Sequence, residues 1–200
     1  MTVVDPVRDT RGALWGKPAR SSKFEVDGYS VDVLKWDAKS NPEKVVIYLT
    51  VGASAFPLPG RPADHRIEFF TGLLPARDEV ANSLAALSLY SVREGMVLDH
   101  GHTVPSHGPL WKGFEMGTFL ITRPRSDLLP PLEMPDGACV EFLQAIPIFE
   151  SERSYKKELG VDALMECFAE AHTPSWDPDR SPNPVCLSRS GLGTGAFLGV

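Results

Sequence analysis

The chain has 200 residues, 20 Lys and Arg against 26 Asp and Glu, and a formal net charge of −6. That balance repels phosphate backbones and anionic lipid heads, which excludes nucleic acid and membranes as expected partners. No apolar run approaches the roughly 20 residues of a bilayer span, and 42% hydrophobic content suits one soluble domain. The opening residues, MTVVDPVRDTRG, hold no apolar secretion segment, so a cytoplasmic location is expected. Cys139, Cys167 and Cys186 are odd in number and widely spaced, which suits buried reduced thiols rather than a disulfide frame or metal knuckle.

Residues 1–22 carry Pro6, Gly12, Gly16 and Pro18 with no sustained period, and read as an N-terminal arm anchored by Leu14 and Trp15. Phe24 and Val26, then Asp27-Gly28, then Tyr29, Val31 and Val33 form a hairpin signal, because Asp-Gly supplies the positive φ angles of a two-residue turn. The second strand ends near Trp36. In Lys44–Ser54, KVVIYLTVGAS, the run Val45 to Val51 is apolar on both parities, so it predicts a central strand covered on both faces. Gly52 then marks a close backbone approach or a sharp turn.

A proline-rich loop leads to a strand over His65–Thr71, with Ile67 and Phe69 on one face and Glu68 and Phe70 on the other. A helix is expected from Pro75 to Tyr90. Pro75 suits its first turn, Asp78 and Glu79 favour its N-terminal end, and Val80, Leu84 and Leu87 form its apolar stripe. Ala81, Ala85 and Ala86 let it lie close to the sheet, and Gly95 ends the segment. A loop-rich passage, MVLDHGHTVPSHGPLWK, precedes a strand over Glu115–Thr122. ACVEFLQAIPIF, Ala138 to Phe149, predicts another central strand whose ladder ends near Pro147. A helix capped by Ser151 runs to Leu159, Gly160 closes it, and Asp162 opens another carrying Leu164, Cys167, Phe168 and Ala171. The Pro/Gly-rich residues 173–200 read as a tail or surface strap, which leaves 23–172 as the domain.

This order resembles the suppressor of fused (SUFU) domain family. The resemblance rests on TVGAS after a buried strand, on GHTVPSHGPL from Gly101 to Leu110, and on VEFLQAIPI followed by ESERSYKKELGVDALMECF. It covers roughly Val45 to Phe168. In the family the strand after the loop ends in Thr-x-x-Pro; here Pro124 follows Thr122 one position early. The resemblance implies an α/β domain of the α+β type, with a mixed, largely antiparallel sheet flanked by helices. It also implies protein binding without enzymatic activity. In the animal protein the domain pairs with a second one, expected to be missing here, and clamps a peptide of a zinc-finger transcription factor, largely by strand addition. Short bacterial relatives are proposed to be immunity proteins that bind and neutralise toxins. By position, Tyr90 matches a partner-contacting tyrosine of the family. His102 stands where the family has an aspartate, which argues against the same peptide target.

Tyr90, His102, His107, Trp111 and Phe114 are the candidate partner-binding residues. Tyr90, Trp111 and Phe114 would form an exposed aromatic cluster, with core filling as the alternative. Exposed sheet edges offer a second binding route. The expected partner is a protein, such as a toxin domain or peptide. No catalytic residue, metal or cofactor is assigned, and the oligomeric state stays open. The alternative is a metal-dependent or hydrolytic enzyme built on His100, His102 and His107, since imidazoles two and five apart on a loop can converge on zinc. Ser54 after Gly52 suggests a nucleophile elbow but lacks the second glycine, and Gly191, Gly193 and Gly195 imitate a phosphate loop without strand or lysine.

Overall fold

Apolar on both parities, Val46–Val51 is buried at every position and lies inside a sheet rather than at its margin. The computed structural model describes residues 4–26, 28–56, 58–124, 128–134 and 136–184. Its elements are α1 (Val4–Trp15), β1 (Arg20–Val26), β2 (Tyr29–Trp36), β3 (Val46–Val51), β4 (His65–Leu73), α2 (Val80–Ser88), α3 (Tyr90–Glu94), β5 (Thr103–Pro105), β6 (Thr118–Thr122), β7 (Leu132–Glu133), β8 (Cys139–Ile148), α4 (Glu150–Leu159) and α5 (Val161–Glu170). The strand order is β1-β2-β3-β4-β8-β6-β5, with β7 pairing β8 off this path. Only β4 with β8 is a parallel pair among the described strands. The sheet is therefore mixed and largely antiparallel, as expected. Val26 pairs with Tyr29 across the first hairpin; Asp27 lies outside the described residues.

Strand alternation divides the core between two faces. Tyr48, Phe69 and Leu143 point to the α2 side, where Leu84, Ala85 and Leu87 cover them. Ile47, Leu49, Phe70 and Phe142 point the other way, onto α1. Ile146 and Ile148 share the parity of Phe142 and are covered by α4 and α5 through Tyr155, Leu164 and Phe168. Two helical units thus share one face of the sheet, with α2 on the other.

The N-terminal segment differs from the expected arm, since it forms α1. Pro6 falls in the first turn, where a missing N–H costs nothing, and Val7, Arg11 and Trp15, one turn apart, are buried. The Trp15 ring meets Trp36 edge-on at 5.4 Å. Arg11 donates to Pro130 O at 2.9 Å with its guanidinium 4.2 Å over the Phe142 ring, and burial lowers its pKa to about 10. Leu14 stays 57% exposed, so Trp15 is the residue of the expected pair that is buried.

The main helix begins at Val80 instead of Pro75 and breaks at Leu89. Asp78 does not serve as a helix-end charge, because its carboxylate accepts from Lys35 Nζ at 2.7 Å, Tyr48 Oη at 2.8 Å and Arg20 at 3.1 Å. The Lys35 hydrogen bond leads the causes that hold Asp78 below the usual carboxylate range. Burial and the Asp78 bond push the Tyr48 phenol upward. Ala81 and Ala85 are buried as expected, whereas Ala86 faces solvent. Pro147 lies inside β8, opposite Phe119 of β6 but beyond the last residue that β8 pairs with β4. α4 starts at Glu150 rather than behind a Ser151 cap. Cys139 is a free thiol, but the buried Cys167 is disulfide-bonded, which corrects the expectation of reduced thiols.

Gly52 meets its expectation. It holds φ +130°, and a Cβ there would lie 3.0 Å from Ser30 O and 3.3 Å from Val31 Cα. Both obstacles are backbone, so Gly52→Ala is expected to cost about 1–3 kcal/mol. Urea denaturation checks this; an unchanged midpoint would show that the turn is not held as described.

Candidate functional site

A candidate binding geometry forms where α2, α3 and β5 meet. Ser83 Oγ donates to Leu110 O at 2.9 Å, tying the loop to α2, while Ser106 N–H and Leu110 N–H donate to Gly117 O and Met116 O at 2.8 and 2.9 Å. These bonds hold a groove of about 160 Å³ lined by Tyr90, Arg93, Val104, Pro105 and His107 over a floor of Leu110 and Phe119. Tyr90 is half-buried and His107 exposed.

β5 ends the strand order, so its outer side pairs no strand among the described residues. Ile121 N–H donates to His102 O, and Ser106 N–H donates to Gly117 O, so residues 102 and 106 face β6. Alternation then turns Thr103 and Pro105 outward. The edge offers Thr103 N–H and C=O and the Pro105 carbonyl; Pro105 has no N–H to give.

The structure brings Tyr90 and His107 together and leaves the other candidates apart. Trp111 is 3% exposed and belongs to the core under the loop, because its ring is large enough to fill the space between α2 and β6. Phe114 is half-buried, 6.2 Å from the Trp111 ring centroid, with the Arg77 guanidinium 5.4 Å over it. An exposed aromatic cluster of all three residues does not form. His102 is exposed but does not line the groove, and its Nδ1 accepts from Asp99 N–H at 3.0 Å.

His100 Nδ1 accepts from Arg123 N–H at 3.3 Å, and the Asp99 carboxylate binds Arg123 and lies 3.6 Å from Arg61. Partial burial pushes Asp99 upward, but the His100 N–H and the two guanidinium groups outweigh it and hold the carboxyl below its ordinary value. Among the described residues no group of three His, Cys, Asp or Glu is placed to hold a metal ion. Ser54 is fully buried, its hydroxyl donating to Glu68 Oε1 at 2.6 Å, and among the described residues it hydrogen-bonds no histidine. Gly191, Gly193 and Gly195 lie outside the described residues.

Sequence reasoning missed the groove residues Ser83, Arg93 and Pro105. Pro105 carried a signal, since a proline in a short alternating stretch marks an edge strand. It also missed the buried acids. Glu68 Oε1 accepts from Gly52 N–H, Ser54 N–H and Ser54 Oγ at 2.9, 3.0 and 2.6 Å, and Oε2 sits 2.6 Å from Thr50 Oγ1. These bonds clamp the turn after β3 onto β4.

A mixed, largely antiparallel sheet with helices on both faces defines an α/β domain of the α+β type. The family model for Suppressor of fused protein (SUFU) matches residues 26–181, so the chain belongs to the suppressor of fused family. Among solved structures, the Sufu-Fu complex matches with a TM-score of 0.71 at 14% identity, covering 99% of both chains. A SUFU homologue from Neisseria gonorrhoeae FA 1090 matches with a TM-score of 0.69 at 21% identity, covering 90% of this chain and 96% of that one. Drosophila Suppressor of Fused matches with a TM-score of 0.67 at 15% identity, covering 95% of this chain and 53% of the fly chain. No curated protein matches the sequence. Among the described residues no helix is long and apolar enough to cross a membrane.

Proposed function

We propose that this chain is a non-enzymatic protein-binding module that takes an extended segment of its partner along β5. The observation that carries the reading is the groove holding Tyr90 and His107 directly beside the β5 edge, which pairs no strand among the described residues. Main-chain hydrogen bonds to Thr103 and Pro105 would supply affinity, and the groove would read a side chain of the added strand. One similar structure is a complex of Sufu with Fu, which supports protein binding as the class. A bacterial immunity role is the most concrete version, in which occupation of a toxin's surface neutralises it. The net charge of −6 suits a basic partner, with opposite fields speeding encounter.

The test uses the full chain as bait in its native cell, beside Tyr90→Ala and a Thr103→Pro variant that removes the edge N–H. A stoichiometric partner held by the wild type and weakened at least roughly tenfold by either variant supports the reading, since edge bonds and hot-spot aromatics carry energies of that order. Recovery of no partner, or equal capture by both variants, overturns it. Rescue of growth on co-expression with that partner separates immunity from other binding roles.

A further inference from the structure

The sheet opens in its middle. β4 and β8 pair from His65↔Cys139 to Phe70↔Gln144. Beyond that point, among the described strands, β4 continues to Leu73 paired with β3 alone, while β8 continues to Ile148 paired with β6 alone. Residues 174–180 cross the opening: Leu74 N–H donates to Trp176 O at 2.9 Å, and Arg180 Nη2 donates to Pro147 O at 3.0 Å. Beside this strap remains a cavity of about 370 Å³. It lies at the carboxyl ends of two parallel strands, where open α/β sheets hold their ligands, and its size is that of a small-molecule site.

Its chemistry is uneven. Ile47, Phe70 and Ile146 give it apolar walls, and Trp176, 49% exposed, stands at its rim. Gln144, on the same strand face as Ile146, brings a carboxamide that makes no hydrogen bond among the described residues. Lys44 lines the same cavity with no acidic partner among the described residues, at a left-handed φ of 57°. Glu43 also lines it, but that carboxylate is already engaged. The walls call for a hydrocarbon body, and the exposed Lys44 ammonium and the half-buried Gln144 carboxamide, neither bonded among the described residues, call for an anionic head that accepts hydrogen bonds.

We propose that this cavity binds a small aliphatic monocarboxylate, its alkyl chain against Ile47, Phe70 and Ile146 and its carboxylate against Lys44 and Gln144. The volume lies in the range of small-molecule sites, and decanoate serves as the probe of that size class. The site lies on the face opposite α2 and is independent of the partner groove.

Calorimetric titration of the full chain with decanoate tests this, with decylamine as the charge-reversed control and Lys44→Glu as the variant. Expected are saturable one-site binding, weakening of at least roughly tenfold in Lys44→Glu, and a similar deficit for decylamine, as loss of a charge-assisted contact implies. Decanoate should also change tryptophan fluorescence in the wild type but not in Trp176→Phe, which places the ligand under the strap. No saturable binding at millimolar decanoate, equal affinity in Lys44→Glu, equal binding of decylamine, or a fluorescence change that survives Trp176→Phe would each overturn the assignment.

Discussion

Arg180→Ala is expected to lower the free energy of unfolding by about 3–5 kcal/mol, which is the cost of leaving one charge of a buried pair alone. Arg180 and Glu152 have side chains 3% and 0% exposed. The guanidinium meets Glu152 as a fork, at 2.6 Å to Oε1 and 2.8 Å to Oε2, and reaches Pro147 O at 3.0 Å. Phe149 and Phe168 flank it at 5.0 and 5.4 Å. The carboxylate has further duties, accepting from Phe149 N–H at the start of α4 and from Asn183 N–H in the strap. Removal of Arg180 therefore strands a dry carboxylate and also frees residues 173–184, so α4, β8 and the strap loosen together. Thermal unfolding should show a fall of roughly 10 °C. Arg180→Lys, which keeps the charge but loses the fork, should recover only part of the loss. A loss under about 1 kcal/mol, the scale of a surface ion pair, would mean that the pair is not buried as described.

Glu68→Ala should cost a comparable amount, about 3–6 kcal/mol, because it strips the acceptor from several buried donors at once, each worth about 1–3 kcal/mol when left unmade. Glu68→Gln should be far milder. Burial is the largest influence on Glu68 and raises its pKa, against the opposing hydrogen bonds from Ser54, Thr50 and Gly52. The geometry accommodates a proton on Oε2. Phe69 N–H donates to Thr50 Oγ1 at 2.8 Å, and that oxygen lies 2.6 Å from Glu68 Oε2 and 3.2 Å from Phe69 O. A neutral carboxyl can thus donate to Thr50, which passes its own proton to the Phe69 carbonyl, and a carboxamide imitates that arrangement.

The sign of the pH dependence follows. Below the unfolded pKa of about 4.3, both states hold the proton. As pH rises past that value the unfolded chain releases it while the folded chain keeps it, so stability declines until the folded pKa is passed. The slope reaches at most about 1.4 kcal/mol per pH unit. Wild type should lose stability over this window relative to Glu68→Gln, as measured by denaturant midpoints at a series of pH values. A Glu68→Gln variant as damaged as Glu68→Ala, with no difference in slope from wild type, would show that the carboxylate is ionised.

The sequence displays its sheet more openly than its charges. Val45 to Val51 announces a central strand because no parity is polar, and Asp27-Gly28 and Gly160 mark a hairpin and a helix junction by backbone chemistry alone. Glu68 escapes such reading. It occupies what looks like the polar half of an alternating strand, and its partners Thr50 and Ser54 come from a different strand. Arg180 hides in a stretch of prolines that forbids regular structure without forbidding burial. α1 is obscured because its inward stripe contains Arg11, a residue that pattern reading assigns to solvent. In the candidate site, Tyr90 came from the family resemblance and His107 from the loop after the long helix. Nothing local told that Trp111 points inward, since an indole serves a core and an interface equally well.

The lone parallel pairing also constrains how the polypeptide is made. Strands β1 to β4 form an antiparallel meander of near neighbours, which a growing chain can assemble as it leaves the ribosome. The inner margin of β4 must then wait for β8, which emerges only after α2, α3, β5, β6 and β7 have been synthesised. At ordinary translation speeds that delay is on the order of several seconds. Throughout it Ile67, Phe69 and Phe70 flank a strand border whose partner has not yet been made, the kind of edge on which chains associate wrongly.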